Sequence, residues 1–454
     1  MKRIYFLLMS ASVILFTDRC AELPNYDDTV KDNIAPRQVT VTDTTNFPGG
    51  AIIRFALPPQ DADLLGVIAE YSRREGDVTE AWASTFRDSI VVEGFTDTIV
   101  RIVRLITVDQ SRNRSEPLEV RIRPLTSPLE HIRQSLQVSG GFGSIVATWQ
   151  NPSRASIGVL LYSEDDSTGL ATDLSYYSSA ENGIYLFKEF EHRPRSFRIR
   201  LKDRWGNYSE PLDTVLTPLS KARIPSMNDQ GQFIWSRYGD SDNSKLWRGD
   251  CPLNGGQNYF YKMYNENRAD FWGAGYNNTP ERYISTDRSG EILLPLYFTI
   301  DLGKSCAICE HKLFHDQGNE MGGQNLKKYE IWATNETPKQ TTDFATQLLS
   351  LAYWTSWAHF DGTDQWKTEG GWTKIADCET VPNSGSSTPT SDDMLYAKDN
   401  GFTFDIFPEY TGTPFRYIRV VVTHPLWANT VGNPRIAEFE LYGSVIESDP
   451  DSGL

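Results

Sequence analysis

The chain has 454 residues, of which 39% are hydrophobic and 12% aromatic, so its length and composition predict two to four folded domains. Its formal net charge of −16 at pH 7 argues against non-specific binding to nucleic acid, which needs a basic face. An acidic balance of this size is typical of a soluble, exposed protein, and nucleic acid is not among the expected partners.

The N-terminus has the pattern of a secretory signal. A short basic start, "MKR", precedes the apolar run Ile4 to Phe16, which is too short to span a bilayer. Cys20 follows where bacterial lipoproteins are cleaved and acylated, so residues 1–20 resemble a signal peptide with a lipidation cysteine. Because Arg19 stands where such sites prefer a small or apolar residue, cleavage without an anchor remains the alternative.

Residues 21–35 are polar and acidic and are predicted to be a linker. Beyond them, short alternating stretches such as "GAIIRFALPP" and "TIVRIVRLITV" are separated by Gly, Pro, Asn and Asp, which predicts strands and turns. An internal repeat aligns "VDQSRNRSEPL" (Val108–Leu118) with "KDRWGNYSEPL" (Lys202–Leu212), an offset of 94 residues.

A repeat of about 90 residues built of short strands has the size of an immunoglobulin-like sandwich. The shared ending, a strand followed by D-x-x-x-N-x-S and another strand, resembles the fibronectin type III domain. Residues 36–125 and 126–219 are therefore predicted to be two fibronectin III-like domains, with Trp149 in the core of the second.

Residues 220–446 differ in composition, and 447–454 are left as a tail. This region contains, in order, "FTIDLGK", "KKYEIWATNETP", "WTKIAD", "RYIRVVV" and "RIAEFELYG". Together they resemble the discoidin, or coagulation factor 5/8 type C, domain, which implies a galactose-binding-like jelly-roll sandwich. Trp332 is predicted to lie in a strand core. The expected fold class is all-β throughout.

The whole arrangement resembles exported Bacteroidetes lipoproteins of polysaccharide utilisation loci. The resemblance implies a lipid-anchored protein at the cell surface of the outer membrane, held there through its N-terminal lipid only. It also implies a poly- or oligosaccharide ligand and a TonB-dependent transporter complex as a partner.

The chain has no G-x-S-x-G, H-E-x-x-H, P-loop or Rossmann motif, and it is predicted not to be an enzyme. Glycoside hydrolysis, which needs only two carboxylates across a cleft, is the catalytic alternative. The prediction is a non-catalytic protein that captures glycan for an uptake system. The alternative is a structural or interaction subunit of the transporter complex without sugar affinity.

The resemblance implies a ligand site on loops at one end of the C-terminal domain, where aromatic rings stack on pyranose rings and polar groups bind hydroxyls. The candidates come from three loops: Trp272, Tyr276 and Asn277; Asp316 and Asn319; and His424, Trp427 and Asn429. Asn265 and Glu266 replace the Asp-Gly of the discoidin pattern, which weakens the case for a structural calcium ion. No cofactor is otherwise expected.

The segment "CAICEHKLFH" (Cys306–His315) suggests a metal or redox site at first sight. As a strand, it is predicted to place Cys306 on one face and Cys309, His311 and His315 on the other, with no metal bound. Three extended residues separate Cys306 and Cys309 by about 10 Å, beyond the reach of a disulfide. Bridges to Cys251 or Cys378 and buried free thiols both stay open.

Overall fold

The computed structural model describes residues 33–61, 63–164, 171–238, 247, 250, 260–269, 272–273, 296–318, 320–323, 325–340, 370–423, 427 and 435–446. The predicted signal peptide with Cys20, most of the linker and the tail lie outside these residues. So do Cys251 and five of the candidate site residues: Tyr276, Asn277, Asn319, His424 and Asn429. No described helix is long and apolar enough to cross a membrane.

The first repeat folds into two antiparallel sheets that face each other. One sheet has the order β4-β3-β6-β7 and the other β1-β2-β5. The inward residues of each strand, such as Val67 and Ala69 of β3, are fully buried between the sheets. The strands are β1 Thr40–Phe47, β2 Gly50–Ala56, β3 Leu64–Ser72, β4 Val78–Ser84, β5 Ser89–Glu93, β6 Arg101–Asp109 and β7 Leu118–Ile122.

A short helix, α1 (Pro128–Ser135), leads into the second repeat. Ser127 caps its start, because its hydroxyl accepts the Glu130 backbone N–H at 3.2 Å, and Pro128 occupies the first turn. The buried side chains of Leu129 and Ile132 pack into the core of the following sandwich. The helix therefore closes one end of that core.

The second repeat has the same architecture, with sheets β11-β10-β13-β14 and β8-β9-β12. Trp149 is 3% exposed, which confirms its predicted place in the core. The repeated turn is also the same: Asp109 and Asp203 accept the backbone N–H of Asn113 and Asn207, respectively. The strands are β8 Gln137–Gly141, β9 Ser144–Gln150, β10 Ile157–Glu164, β11 Ala171–Ser178, β12 Asn182–Lys188, β13 Arg195–Asp203 and β14 Leu212–Leu216.

In each repeat the last segment of the sandwich is joined by a parallel bridge to the end of its first strand. Pro48 pairs with Leu125 in the first, and Phe142 pairs with Leu219 in the second. Two backbone hydrogen bonds flank each bridge, for example Gly143 N–H to Leu219 O at 2.9 Å and Leu219 N–H to Gly141 O at 2.8 Å. The end of the first strand and the last segment of each sandwich are thus hydrogen-bonded side by side.

The third region forms a larger sandwich whose sheet runs β15-β23-β17-β21-β18-β19, with β20 added on β17 and a separate pair β16-β22. The elements are β15 Ala222–Arg223, β16 Trp272–Gly273, β17 Leu296–Phe314, β18 Lys328–Thr334, β19 Thr373–Glu379, α2 Ser391–Asn400, β20 Phe402–Asp405, β21 Pro414–Val422, β22 Arg435–Ile436 and β23 Glu438–Val445, with 3-10 turns at Phe260–Met263 and Pro408–Tyr410. These sandwiches confirm the predicted all-β class, with two fibronectin III-like units before a jelly-roll sandwich.

The long strand β17 changes its pairing along its length. Up to Asp301 it pairs with β21, and from Cys306 onward it pairs mainly with β23 and β20. The register with β21 shifts between Asp301 and Cys306, and Gly303 lies within this interval with φ +72°. A left-handed glycine there accommodates the irregularity in the strand.

The predicted facing of the β17 side chains is partly wrong. Cys306 faces the core and Cys309 does not, as expected, but His311 is also buried, with its ring centroid 4.0 Å from that of Phe439 in the same core. The cause is a register shift between Ile308 and Glu310, which inserts one residue and reverses the alternation. Cys306, Cys309 and Cys378 are free thiols in the structure.

Trp332 is a second correction. Its neighbours Tyr329, Ile331 and Ala333 are buried, while Trp332 alternates to the outer face of β18 and is half-buried. There its indole N–H donates to Glu330 at 2.7 Å. The prediction of a core tryptophan was wrong because an apolar strand motif does not say which of two adjacent residues faces inward.

Two junctions join the three sandwiches. At the first, the Asn207 side chain donates to the Gly94 carbonyl at 3.0 Å, and Trp205 packs over Gly94. At the second, a cleft of about 850 Å³ lies between the second and third sandwiches. The ion pair of Lys188 with Asp405 spans it, and the pair of Lys221 with Glu310 lines it on the side of the third sandwich.

Candidate functional site

Backbone pairing gathers the three predicted loops at one end of the C-terminal sandwich. Strand β22 pairs with β16, so that Trp272 lies opposite Ile436 and Gly273 opposite Arg435. Asn325 forms an isolated parallel bridge to Arg435 from the other side. The backbones of the first and second loops therefore meet at Arg435, which ends the third.

Asp316 is held in place by two partners. Its carboxylate pairs with the Arg435 guanidinium at 2.8 Å, and the exposed fractions of the two side chains are 12% and 34%. Its backbone N–H donates to the Asn325 side-chain oxygen at 2.8 Å. Because both side chains are partly buried and paired, their positions are fixed. The Arg435 guanidinium is a hydrogen-bond donor and the Asp316 carboxylate an acceptor, and the two lie side by side.

His315 supports this loop from beneath. One ring nitrogen lies 3.1 Å from the Leu326 carbonyl, and the other accepts the Met321 backbone N–H at 3.0 Å. This pairing assigns the ring proton to the nitrogen facing Leu326. Burial lowers the pKa of His315 to about 3, so the ring is neutral and acts as a structural brace.

Trp427 is half-buried and well fixed. Its indole N–H donates to the Thr380 hydroxyl at 2.7 Å, and its ring packs on the cluster formed by Met321, Ala397 and Phe402. The Lys327 ammonium lies 4.9 Å from the ring centroid, within range of a cation–π contact. The backbone N–H of Trp427 bonds to the Asn325 carbonyl at 3.3 Å, which ties it to the same centre.

A charged cluster lies beside this centre. Arg223 pairs with Glu266 and Glu438, and Arg268 pairs with Glu440 and lies over the Phe314 ring. Burial raises the pKa of Glu438 to about 8, although Arg223 opposes the rise. Glu266 adopts φ +61°, a conformation that favours glycine, at the position where the discoidin pattern has Gly.

Three of the predicted site residues, Trp272, Asp316 and Trp427, therefore converge, the first through its backbone. Asn325, Arg435 and Lys327 were not among the predicted site residues, although Lys327 begins the quoted motif "KKYEIWATNETP" and Arg435 begins "RIAEFELYG". Together the site offers charged donors, a carboxylate acceptor and a ring, which is a chemistry suited to hydroxyl-rich ligands. Within the described ranges no group of His, Cys, Asp and Glu is arranged to hold a metal ion.

Three family models match the chain. Residues 36–124 match "Domain of unknown function (DUF4959)", residues 125–226 match "Domain of unknown function (DUF5126)", and residues 272–443 match the domain of unknown function DUF5000. No curated protein sequence matches the chain.

Solved structures of similar form include SusE-like protein BT2857, with 19% identity and a TM-score of 0.46 over 70% of this chain and 98% of that one. The family 32 CBM of C. perfringens NanJ in complex with galactose has 15% identity and a TM-score of 0.26, covering 49% and 98%. A two-domain fibronectin type III segment of chicken tenascin has 16% identity and a TM-score of 0.19, covering 40% and 99%. At these values the similarities establish neither a ligand nor a partner for this chain.

Proposed function

We propose that the protein is a non-catalytic carbohydrate-binding lipoprotein of the cell surface, anchored at Cys20, which captures glycan for a polysaccharide uptake system. The observation that carries the proposal is the placement of the Asp316–Arg435 pair beside the fixed ring of Trp427. A sugar needs both kinds of contact, because its hydroxyls require paired donors and acceptors and its C–H faces require an apolar ring.

The order of the sandwiches supports this reading. Two sandwiches lie between the N-terminal anchor and the candidate site, so they act as a spacer. The predicted domain boundaries 36–125, 126–219 and 220–446 remain part of the proposal.

The test is binding of the full chain to a panel of immobilised neutral polysaccharides that includes galactans and galactomannans. We expect one or more to bind, and we expect Trp427→Ala and Arg435→Gln each to weaken that binding by about tenfold, which is about 1.4 kcal/mol. Trp332→Ala is the matched control, because Trp332 is a half-buried tryptophan of the same sandwich on a strand outside the site.

Absence of binding to every polysaccharide, with the protein shown to be folded, contradicts the proposal. The proposed site is wrong if binding persists at full strength in both site variants.

The alternative is a structural subunit of a TonB-dependent transporter complex. One observation favours this alternative: the Trp427 indole N–H already donates to the Thr380 hydroxyl and is therefore not available to a ligand. Co-purification from outer membranes separates the two functions: a stable transporter complex without sugar affinity supports the structural role. Release of reducing sugar from the same panel would instead reveal an enzyme.

A further inference from the structure

The outer face of the four-stranded sheet in the second sandwich carries an exposed aromatic ring seated on a glycine. Tyr177 on β11 lies opposite Gly158 on β10, and it is 63% exposed. A Cβ atom added to Gly158 would lie 2.7 Å from the Tyr177 ring. The missing side chain therefore lets the ring rest against the sheet with much of its surface in solvent.

Two cations lie next to this ring on strand β13. Lys202 lies opposite Gly158, and Arg200 lies opposite Leu160 one row along. Both are in cation–π range of Tyr208, at 5.3 Å and 4.9 Å from its ring centroid, and Tyr208 is itself 43% exposed. Among the described residues, neither cation forms an ion pair with a carboxylate.

Two carboxylates of this face lie in the next row beyond Arg200. Asp173 is opposite Tyr162, and Asp213 is already paired with Arg198 at 2.7 Å. The surface around Lys202 and Arg200 is therefore locally positive, although the net charge of the chain is −16.

The first sandwich provides an internal comparison, because the 94-residue offset places Ile106 and Val108 where the second has Arg200 and Lys202. Those two residues are buried with Ile68 in an apolar cluster on the equivalent face. Trp82 is 50% exposed and lies over Gly66, as Tyr177 lies over Gly158.

Two arginines on the first sandwich are paired with carboxylates. Arg104 pairs with Glu70 and Glu119, and Arg114 pairs with Glu80. The two repeats therefore share an aromatic ring on a glycine, but the second has two cations at the positions where the first has Ile106 and Val108.

We propose that the Tyr177 face, defined by Gly158, Tyr177, Arg200, Lys202 and Tyr208, binds an anionic polysaccharide that carries uronate or sulfate groups. The exposed rings suit the apolar faces of sugar rings, and the two cations are complementary to acidic substituents. This surface lies on a different sandwich from the candidate site around Arg435, so the two proposals stand independently.

The probe is immobilised polygalacturonate, with its carboxyl-reduced form as the neutral counterpart, and binding of the full chain is followed by surface plasmon resonance. We expect binding to polygalacturonate that weakens as NaCl is raised from 0.05 to 0.5 M, and much weaker binding to the reduced polymer. The double variant Arg200→Gln, Lys202→Gln should lose about tenfold in affinity, which corresponds to about 1.4 kcal/mol, because it removes two partly exposed charge contacts.

Tyr177→Ala should also weaken binding, whereas Tyr177→Phe should keep it because the ring remains. Trp82→Ala is the matched control on the first sandwich, and Trp427→Ala is the control for the C-terminal site; both should bind polygalacturonate like the unmodified chain. Thermal unfolding of each variant verifies its fold.

Equal binding to the acidic and the reduced polymers, or undiminished binding by the double variant, overturns the proposal. So does a folded chain that binds none of polygalacturonate, chondroitin sulfate and heparin at low salt. Loss of binding in Trp427→Ala with retention in the double variant would assign the anionic ligand to the C-terminal site instead.

Discussion

Glu438 shows how burial and an ion pair compete at one residue. Its carboxylate lies 3.1 Å from Arg223 and accepts the Glu266 backbone N–H, but its second oxygen is buried without a hydrogen-bond partner. Desolvation is the larger effect and raises the pKa to about 8 from an ordinary value of 4.5. The folded protein therefore holds this proton more tightly than the unfolded chain does.

This gives a pH dependence with a definite sign. A carboxyl whose pKa is raised by folding contributes stability that is complete below pH 4.5 and is lost as the pH rises towards 8. Since one pKa unit corresponds to about 1.4 kcal/mol, we expect Glu438→Gln to remove a decline of about 2–4 kcal/mol in unfolding free energy between pH 5 and 8.5. Urea unfolding at several pH values measures it.

The matched control is Glu119→Gln, which changes an exposed glutamate on the first sandwich. It should leave the slope of stability against pH as it is in the unmodified chain. A Glu438→Gln slope equal to that of the control would show that Glu438 is ionised throughout this range.

At the scale of elements, β17 depends on the backbone at Gly303. A side chain there meets two obstacles: φ of +72°, and the Ile234 carbonyl oxygen, which would lie 2.7 Å from the new Cβ. Gly318 offers the matched control, because it has φ +84° but no atom within 4 Å of a Cβ. Comparing the two substitutions separates the free-energy cost of a positive φ from the cost of the steric clash with Ile234.

We expect Gly318→Ala to cost about 1–2 kcal/mol of unfolding free energy, from conformation alone. Gly303→Ala should cost clearly more, because the added methyl group also displaces β17 where its register with β21 shifts. Denaturant unfolding of both variants gives the comparison. Similar losses in the two would mean that the Ile234 segment moves aside freely.

The same element marks the limit of what its sequence predicts. Alternation along "CAICEHKLFH" placed Cys306 and Cys309 on opposite faces, but it failed for His311 because a one-residue bulge leaves no sign in a run of apolar and polar residues. For the site, Asp316 and Trp427 were visible as polar and aromatic loop residues. Asn325 and Lys327 were missed because their roles depend on pairing with residues about 100 positions away.

At the scale of the whole molecule, the internal repeat predicted two sandwiches of the same architecture, because segments whose strands and turns align in sequence fold with the same topology. The junctions could not be predicted, since their partners lie far apart in the chain. The first junction contains a buried hydrogen bond between Asn207 and Gly94 in addition to the Arg204–Glu93 ion pair, whereas the second is spanned by the exposed ion pair of Lys188 with Asp405.

The two junctions should therefore respond differently to salt. Ion pairs with exposed partners are screened, so raising NaCl from 0.05 to 0.5 M should open the cleft and increase the radius of gyration measured by small-angle X-ray scattering. The variant Lys188→Gln should show the larger radius at both salt concentrations, because it removes the ion pair that spans the cleft. Asn207→Ala, the control at the first junction, should retain the salt response of the unmodified chain.

A radius of gyration that is independent of salt in the unmodified chain would contradict this account of the second junction. The cleft would then be held by its apolar lining rather than by charge.

The parallel bridges Pro48–Leu125 and Phe142–Leu219 have a mechanical consequence. When a chain is pulled from both ends, a parallel bridge between the first strand and the last segment of a domain is loaded in shear. Its backbone hydrogen bonds must then break together instead of one by one. Each of the first two sandwiches carries such a clamp. If the protein is anchored at its N-terminus and binds a large polymer through its C-terminal sandwich, drag on the polymer stretches the chain. The two bridges then resist that force between the first strand and the last segment of each sandwich.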